Sequence, residues 1–457
     1  MNRWSRRSLA CAVGSILGIA GLGWGGKASA EVRAGAARVS IVPPFPTAMG
    51  GFADRTAQFT GVHDDLYVRA LFLDDGETRL MILGSDLIYS DGQLTRRVRA
   101  RLSAEAGVPP DHILLGAAHN HSSPSGFQRL PAGETNPLLD FLVERFTEAG
   151  LEARRSAAPA RLGFGAGRLE GATRNRQQAN ETVIDPQVGV LRVESAEDRS
   201  LIAALFNFTG HPVILGSQNL LLSGEYPGQA ARTIEEVLGG VAIFTQGAAG
   251  DVTVHRQGDP FLEVARVGRL LAGEVIKTAE FIRPAADAGL AAGSTVVTLA
   301  ARAFPSPEVA RAELQRARAE LEAARGRGER PEVARELEAI VRLRESDVRG
   351  AEARAASDEL PLTVEAEVQV ARIGELVLIA IPGELFVEYA LEMRQRTAQA
   401  LGKATVVVGY ANDHLGYIVT PRAVRTGGYE ASVTRLDETA GRELTEAALR
   451  LAYEVVK

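Results

Sequence analysis

Six stretches of the chain are almost continuously apolar and end in small or polar residues: 66–73, 80–86, 113–117, 201–208, 241–246 and 376–381. Runs of that length bounded by Gly, Pro and acids read as buried strands. Residues 362–370 alternate apolar and polar with period two, as a half-buried strand does. Between these runs, 91–106, 229–237 and 386–400 carry helical spacing. Strand and helix patterns thus alternate, which predicts an α/β fold of mixed β-sheets with flanking helices.

Residues 306–357 follow a different rule. Ser306-Pro307 caps and starts a helix with a narrow stripe at Val309, Leu314, Ala317, Leu321 and Ala324. Gly326-Arg-Gly328 breaks it, and Pro331 restarts it through Val333, Leu337, Ile340, Val341 and Val348. The pattern predicts an antiparallel helical hairpin inserted between residues 31–305 and 358–457. Its charged outer faces make it peripheral, as a lid, an assembly arm or a solvated protrusion.

The first 30 residues fall outside this pattern. Arg3, Arg6 and Arg7 precede an apolar segment, and Ala28-Ser29-Ala30 suits a cleavage site. That reads as an export signal, through either the general secretory or the twin-arginine route, and places the protein in the periplasm or outside the cell. The one cysteine, Cys11, lies in this segment, so a metal site in the mature chain must use His, carboxylate or Tyr. Net charge is −6, and without Arg3, Arg6, Arg7 and Lys27 it is −10. An acidic chain lacks the clustered basic charge of a nucleic-acid binder.

The candidate chemistry sits where the strand runs end. The run at 113–117 leads into Ala118-His119-Asn-His121-Ser-Ser-Pro. If strand geometry persisted through residue 121, both imidazoles would share a face, as metal ligands or as hydrogen-bonded loop histidines. Gly210-His211-Pro212 follows the run at 201–208, and Ala249-Gly-Asp251-Val-Thr253 follows 241–246. The run at 376–381 ends in Pro-Gly-Glu384, and Tyr417 and Tyr429 come later. Met49-Gly50-Gly51-Phe52 reads as a loop whose backbone approaches a ligand closely.

In their order, these segments, with Asn175-Arg176 and Ser223-Gly-Glu225, resemble the neutral, non-lysosomal ceramidase family. The resemblance covers nearly all of residues 37–432. It implies a zinc hydrolase with His119, His211, Glu384 and Tyr417 as zinc ligands, and with His121, Arg176 and Tyr429 lining the reaction centre. It further implies cleavage of the amide bond of ceramide-like or other N-acyl substrates by metal-activated water, with transient contact with a membrane surface. Thr253 stands where the family has a serine, Glu225 where it commonly has Asp, and the family's C-terminal β-sandwich has no counterpart here. These departures keep two other readings open: a zinc hydrolase of esters, lactones or small amides, and a non-catalytic binding protein of the same fold.

Overall fold

The computed structural model describes residues 31–128, 134–177, 183–356, 362–426 and 428–457. The export signal with Cys11, and residue 357 at the end of the hairpin, lie outside them.

In chain order the main elements are β1 (Arg33–Ser40), β2 (Tyr67–Asp74), β3 (Arg79–Ser85), α1 (Gly92–Ala106), β4 (Ile113–Ala117), α2 (Pro137–Arg155), β5 (Ala158–Arg168), β6 (Gln187–Ser195), β7 (Leu201–Phe208), α3 (Glu225–Leu238), β8 (Val241–Gln246) and α4 (Pro260–Phe281). Then come β9 (Leu290–Ala300), α5 (Pro307–Gly326), α6 (Pro331–Ala356), β10 (Thr363–Ile373), β11 (Leu376–Ala380), α7 (Val387–Leu401), β12 (Ala404–Val408), α8 (Pro421–Thr426), α9 (Tyr429–Val433) and α10 (Ala440–Val456). An eight-stranded sheet runs β8-β7-β6-β5-β1-β2-β3-β4, and a four-stranded sheet runs β9-β10-β11-β12. The pairs β3–β4, β7–β8 and β11–β12 are parallel.

The core shows why the apolar runs are continuous. Val68, Ala70 and Phe72 of β2 pack under α1 and α2, while Leu71 and Leu73 face the other way, onto Leu378 and Ala380 of the second sheet. Val377 and Ile379 then face α7 and α10. Val190, Phe206 and Phe244 pack under α3 and α4. The layers are therefore helices, sheet, sheet, helices, and strands buried on both faces need no polar alternation. Each large apolar side chain so buried contributes roughly 1.5–3 kcal/mol.

Helix starts follow local chemistry. Asp91 accepts from Gln93 N at the head of α1, Asn136 from Leu139 N at α2, and Asp259 from Leu262 N at α4. The helix expected at 229–237 begins earlier, at Glu225, because Asp64 accepts from Gly224 N and from Ser223 Oγ and so orders the turn before it. Helices α5 and α6 pack on each other, and α6 also lies against α9. Among the described residues no helix is long and apolar enough to cross a membrane.

Candidate metal centre

The candidate residues leave the carboxyl ends of strands in the parallel pairs β3–β4, β7–β8 and β11–β12, the ends at which ligands gather in α/β sheets. His119 follows β4, His211 follows β7, Thr253 follows β8, and Glu384 follows β11. Strand β4 stops at Ala117, and His119 takes a left-handed φ of 61°. The strand alternation expected for His119 and His121 is therefore not what aligns them. A sharp turn does, at roughly 1–3 kcal/mol of backbone strain. Asn120 holds that turn, donating to Asp86 O at 3.1 Å and Ser223 O at 2.6 Å and accepting from Ser122 N.

The imidazoles still converge. His119 Nε2 lies 2.8 Å from His211 Nε2 and 3.3 Å from His121 Nε2. His119 Nδ1 faces Ile88 O at 2.9 Å, and His211 Nδ1 faces Ala249 O at 2.8 Å. A carbonyl only accepts, so both Nδ1 atoms carry hydrogen and both Nε2 lone pairs point into one gap. Glu384 Oε2 stands 3.2 Å from His119 Nε2 and 3.6 Å from His211 Nε2, and is buried with no hydrogen bond besides these contacts among the described residues. More acceptors meet there than one proton can serve, and the set fits a divalent cation of zinc type.

His121 differs from the other two. Its donor nitrogens lie with theirs within 4.8 Å, yet its Nδ1 is buried without a partner among the described residues. A histidine whose second nitrogen is not anchored keeps both tautomers and suits proton transfer better than ligation. Its neighbour is the loop expected to approach a ligand. Gly51 backbone abuts the His121 ring instead, Phe52 packs edge-on at 4.7 Å, and Arg55 donates to His121 O.

A second cluster adjoins the first. Glu384 and Tyr417 sit opposite one another in a short parallel ladder. Arg176 Nη2 reaches Tyr417 OH at 3.5 Å, Glu430 Oε1 at 2.9 Å and the Gly250 carbonyl. Tyr429, 39% exposed, sets its ring edge-on to Tyr417 with centroids 6.0 Å apart. Thr253 is buried, pairs with Arg174 across a β-ladder, and is bridged through its backbone to His211. Asp251 ties the strand ends together: Oδ1 accepts from Val387 N, Oδ2 from Asn175 Nδ2, and its carbonyl from Arg176 N.

Burial sets the charges. It pushes His121 and His211 well below the ordinary imidazole value, assisted by Arg176, so both are neutral at pH 7. Burial opposes the Glu384 carboxylate, but His119, His414 and Arg176 hold it below the usual range. Burial, then Glu384, raises the Tyr417 phenol well above 10. Burial also works against the Arg176 charge, which Tyr417, Glu430 and Glu384 nevertheless keep in place. The arrangement joins imidazole nitrogens and one carboxylate to a fixed guanidinium that can receive an anionic oxygen.

Three positioning residues escaped the sequence reading. Gln246, fully buried, donates to Ala118 O and Gly210 O and accepts from Gly210 N, so it clamps the residues preceding His119 and His211. Tyr410 stacks on the His119 ring at 4.1 Å. His414 stacks on Tyr89 at 3.9 Å and places Nε2 3.7 Å from Glu384 Oε1. For Gln246 the only signal was a polar residue closing a buried strand, and Tyr410 and His414 lie in a loop without periodicity.

Glu225 supplies a test of burial at the site's edge. It is fully buried at φ 52°, accepts from Leu215 N at 3.0 Å, and has Oε2 without a hydrogen-bond partner among the described residues. Burial raises its carboxyl to about 7. A folded pKa above the unfolded one means stability is fully present below about 4.5 and is lost as pH rises through about 7. Glu225→Gln removes that loss. The expected result is an unfolding free energy that falls by roughly 2–3 kcal/mol less between pH 5 and pH 8 than in wild type, read from denaturant titrations at each pH. Equal pH slopes for both proteins would refute it.

A layered α/β protein with a buried nitrogen–oxygen donor set at its strand ends is the class that fold and site define. Residues 34–260, which include His119, His121, Arg176, His211 and Thr253, match the model of neutral/alkaline non-lysosomal ceramidase, N-terminal, and the chain belongs to that family. It is 24% identical over 454 residues to a neutral ceramidase of Mycobacterium tuberculosis, with 84% of this chain and 71% of that protein covered. It is 27% identical over 229 residues to the neutral ceramidase of Pseudomonas aeruginosa, covering 45% of this chain but only 34% of that protein. The crystal structure of the Pseudomonas aeruginosa enzyme shares the fold, with a TM-score of 0.72 at 21% identity over 93% of this chain and 75% of that one. A solved ceramidase complexed with C2 gives a TM-score of 0.70 at 20% identity, over 93% of this chain and 76% of that one.

Proposed function

We propose that this protein is an exported zinc amidohydrolase that releases the acyl group from ceramide-like or other N-acyl lipid substrates. The observation that carries the reading is the convergence of His119 Nε2, His211 Nε2 and Glu384 Oε2, with both Nδ1 atoms fixed by carbonyls. The relatives named neutral ceramidase and the solved complex with C2 support the substrate class. The charged and apolar start of the chain supports export.

His119, His211 and Glu384 hold the ion in this reading, with Tyr417 completing the set. Bound zinc supplies Lewis acidity toward the amide carbonyl and toward water. The chain's own residues do the rest. Arg176, kept cationic, binds the oxygen on which negative charge develops, and Tyr429 lines its approach. His121 is neutral and tautomerically free, so it takes the proton of the attacking water and passes it to the leaving amine.

The test is a hydrolysis screen of purified protein against N-acyl and ester libraries, before and after chelation and after zinc is restored. Chelator-sensitive release of fatty acid from N-acyl substrates is expected. Turnover of esters alone, or turnover indifferent to chelation, would refute the reading.

Thr253 positions the substrate oxygen and forms no covalent bond. Its β-branched hydroxyl has few rotamers with which to attack and then release an acyl group. Thr253→Ser is expected to keep activity, and Thr253→Ala to lose about a hundredfold to a thousandfold, the cost of one oxyanion donor. Mass spectrometry of enzyme quenched during turnover checks this, and an acyl adduct on Thr253 would overturn it.

A further inference from the structure

Strands β9 and β10 pair along their whole length, with Ala300 opposite Thr363. A turn of a few residues would close such a hairpin. The chain instead inserts α5 and α6 there, so sheet pairing does not account for them. Their contacts with the rest of the molecule are selective. Helix α6 lies against α9, Ala351 of α6 is buried, and Phe304 at the root of the pair packs under Gly350, where an added Cβ would meet its ring at 2.8 Å. Arg302, just before the insertion, donates from Nη1 to Ala431 O at 3.0 Å, Ser432 O at 3.1 Å and Thr434 O at 3.4 Å. These are carbonyls at and just beyond the carboxyl end of α9.

Helix α9 has five residues and cannot hold its shape alone. It nevertheless reaches both halves of the second cluster. Glu430 is buried and bonds Arg176 at 2.9 Å and Gln177 at 2.5 Å. Thr434, the residue after α9, donates Oγ1 to Tyr417 O at 2.7 Å. Arg176 and Tyr417 therefore face each other across a gap whose two sides are both fixed from α9.

We propose that the α5–α6 pair, together with Arg302 at its root, is a brace for α9. It fixes Glu430 and Thr434, and through them Arg176 and Tyr417, and so positions the reaction centre from outside. Three of the zinc ligands, His119, His211 and Glu384, lie on other elements, so loss of the brace loosens the second cluster, the fourth ligand Tyr417 included, while those three donors still hold the ion. The inference rests on the hydrolase reading only where turnover is measured.

The experiment compares the full chain with a variant in which a short Gly/Ser link replaces residues 306–356, and with Arg302→Ala. Hydrogen exchange is followed across 421–436, with metal analysis and steady-state kinetics on the same samples. Both variants are expected to exchange faster across α9 while β4, β7 and β11 keep their protection. Zinc content should be unchanged, and kcat should fall by about a hundredfold with KM little altered, as for a misplaced positioning group. Unchanged α9 exchange in the linked variant overturns the proposal, as does faster exchange spread evenly over both sheets. Should the linked variant fail to fold, unchanged α9 exchange in Arg302→Ala overturns it alone. If no protein cleaves N-acyl amides yet α9 exchange still rises, the brace stands and the hydrolase reading falls.

Discussion

His211→Ala is expected to empty the metal centre and reduce turnover to background. His211 is fully buried, and its Nδ1 is spent on Ala249 O. Its Nε2 is thus committed to the gap it shares with His119 and Glu384. Gln246 fixes the loop that carries it by donating to the carbonyl of Gly210. Loss of one ligand from a set with two anchored imidazoles removes both affinity and Lewis acidity. His119→Ala should behave alike. Metal analysis by mass spectrometry decides the matter: full zinc occupancy in both variants would sink the assignment of these histidines as ligands.

Gly51→Ala is expected to cost activity at least as heavily as removal of an oxyanion donor, about a hundredfold to a thousandfold. Gly51 has φ 98°, a conformation that L side chains rarely adopt. An added Cβ would stand 2.2 Å from His121 Nδ1 and 2.4 Å from its Cγ, so the ring must swing away. His119 and His211 are held by carbonyls on the far side and stay. The expected variant is folded, retains zinc and turns over poorly. A variant that instead lost its zinc would make His121 a ligand, and one with wild-type turnover would show that the His121 position does not matter.

Much of this architecture could be read from the chain. The runs at 80–86, 113–117, 201–208, 241–246 and 376–381 are strands because two layers bury both of their faces, and continuous apolarity records that double burial. The polar residues just beyond them stand at the carboxyl ends of strands in parallel pairs. What could not be read is convergence. Pattern places His119, His211 and Glu384 after strands but does not say that two sheets meet there. The turn at His119 depends on Asn120 bonding to Asp86 and Ser223, both remote in sequence. The charged faces of α5 and α6 suggested a peripheral hairpin, because periodicity reports polarity and not which helix lies alongside. Helices α2, α4 and α10 lie outside the expected set, and none of them ends in a residue of the site.

One feature of the centre bears on how the molecule is held together. His119 and His211 are separated by 92 residues, and Glu384 follows β11 of the other sheet. An ion gripped by all three is a rivet through two layers. In the unfolded chain these donors are scattered, so the grip exists only in the native state, and its free energy adds directly to that of folding. Opening the seam between the sheets then means breaking coordination, and the layers cannot slide apart singly while the rivet holds.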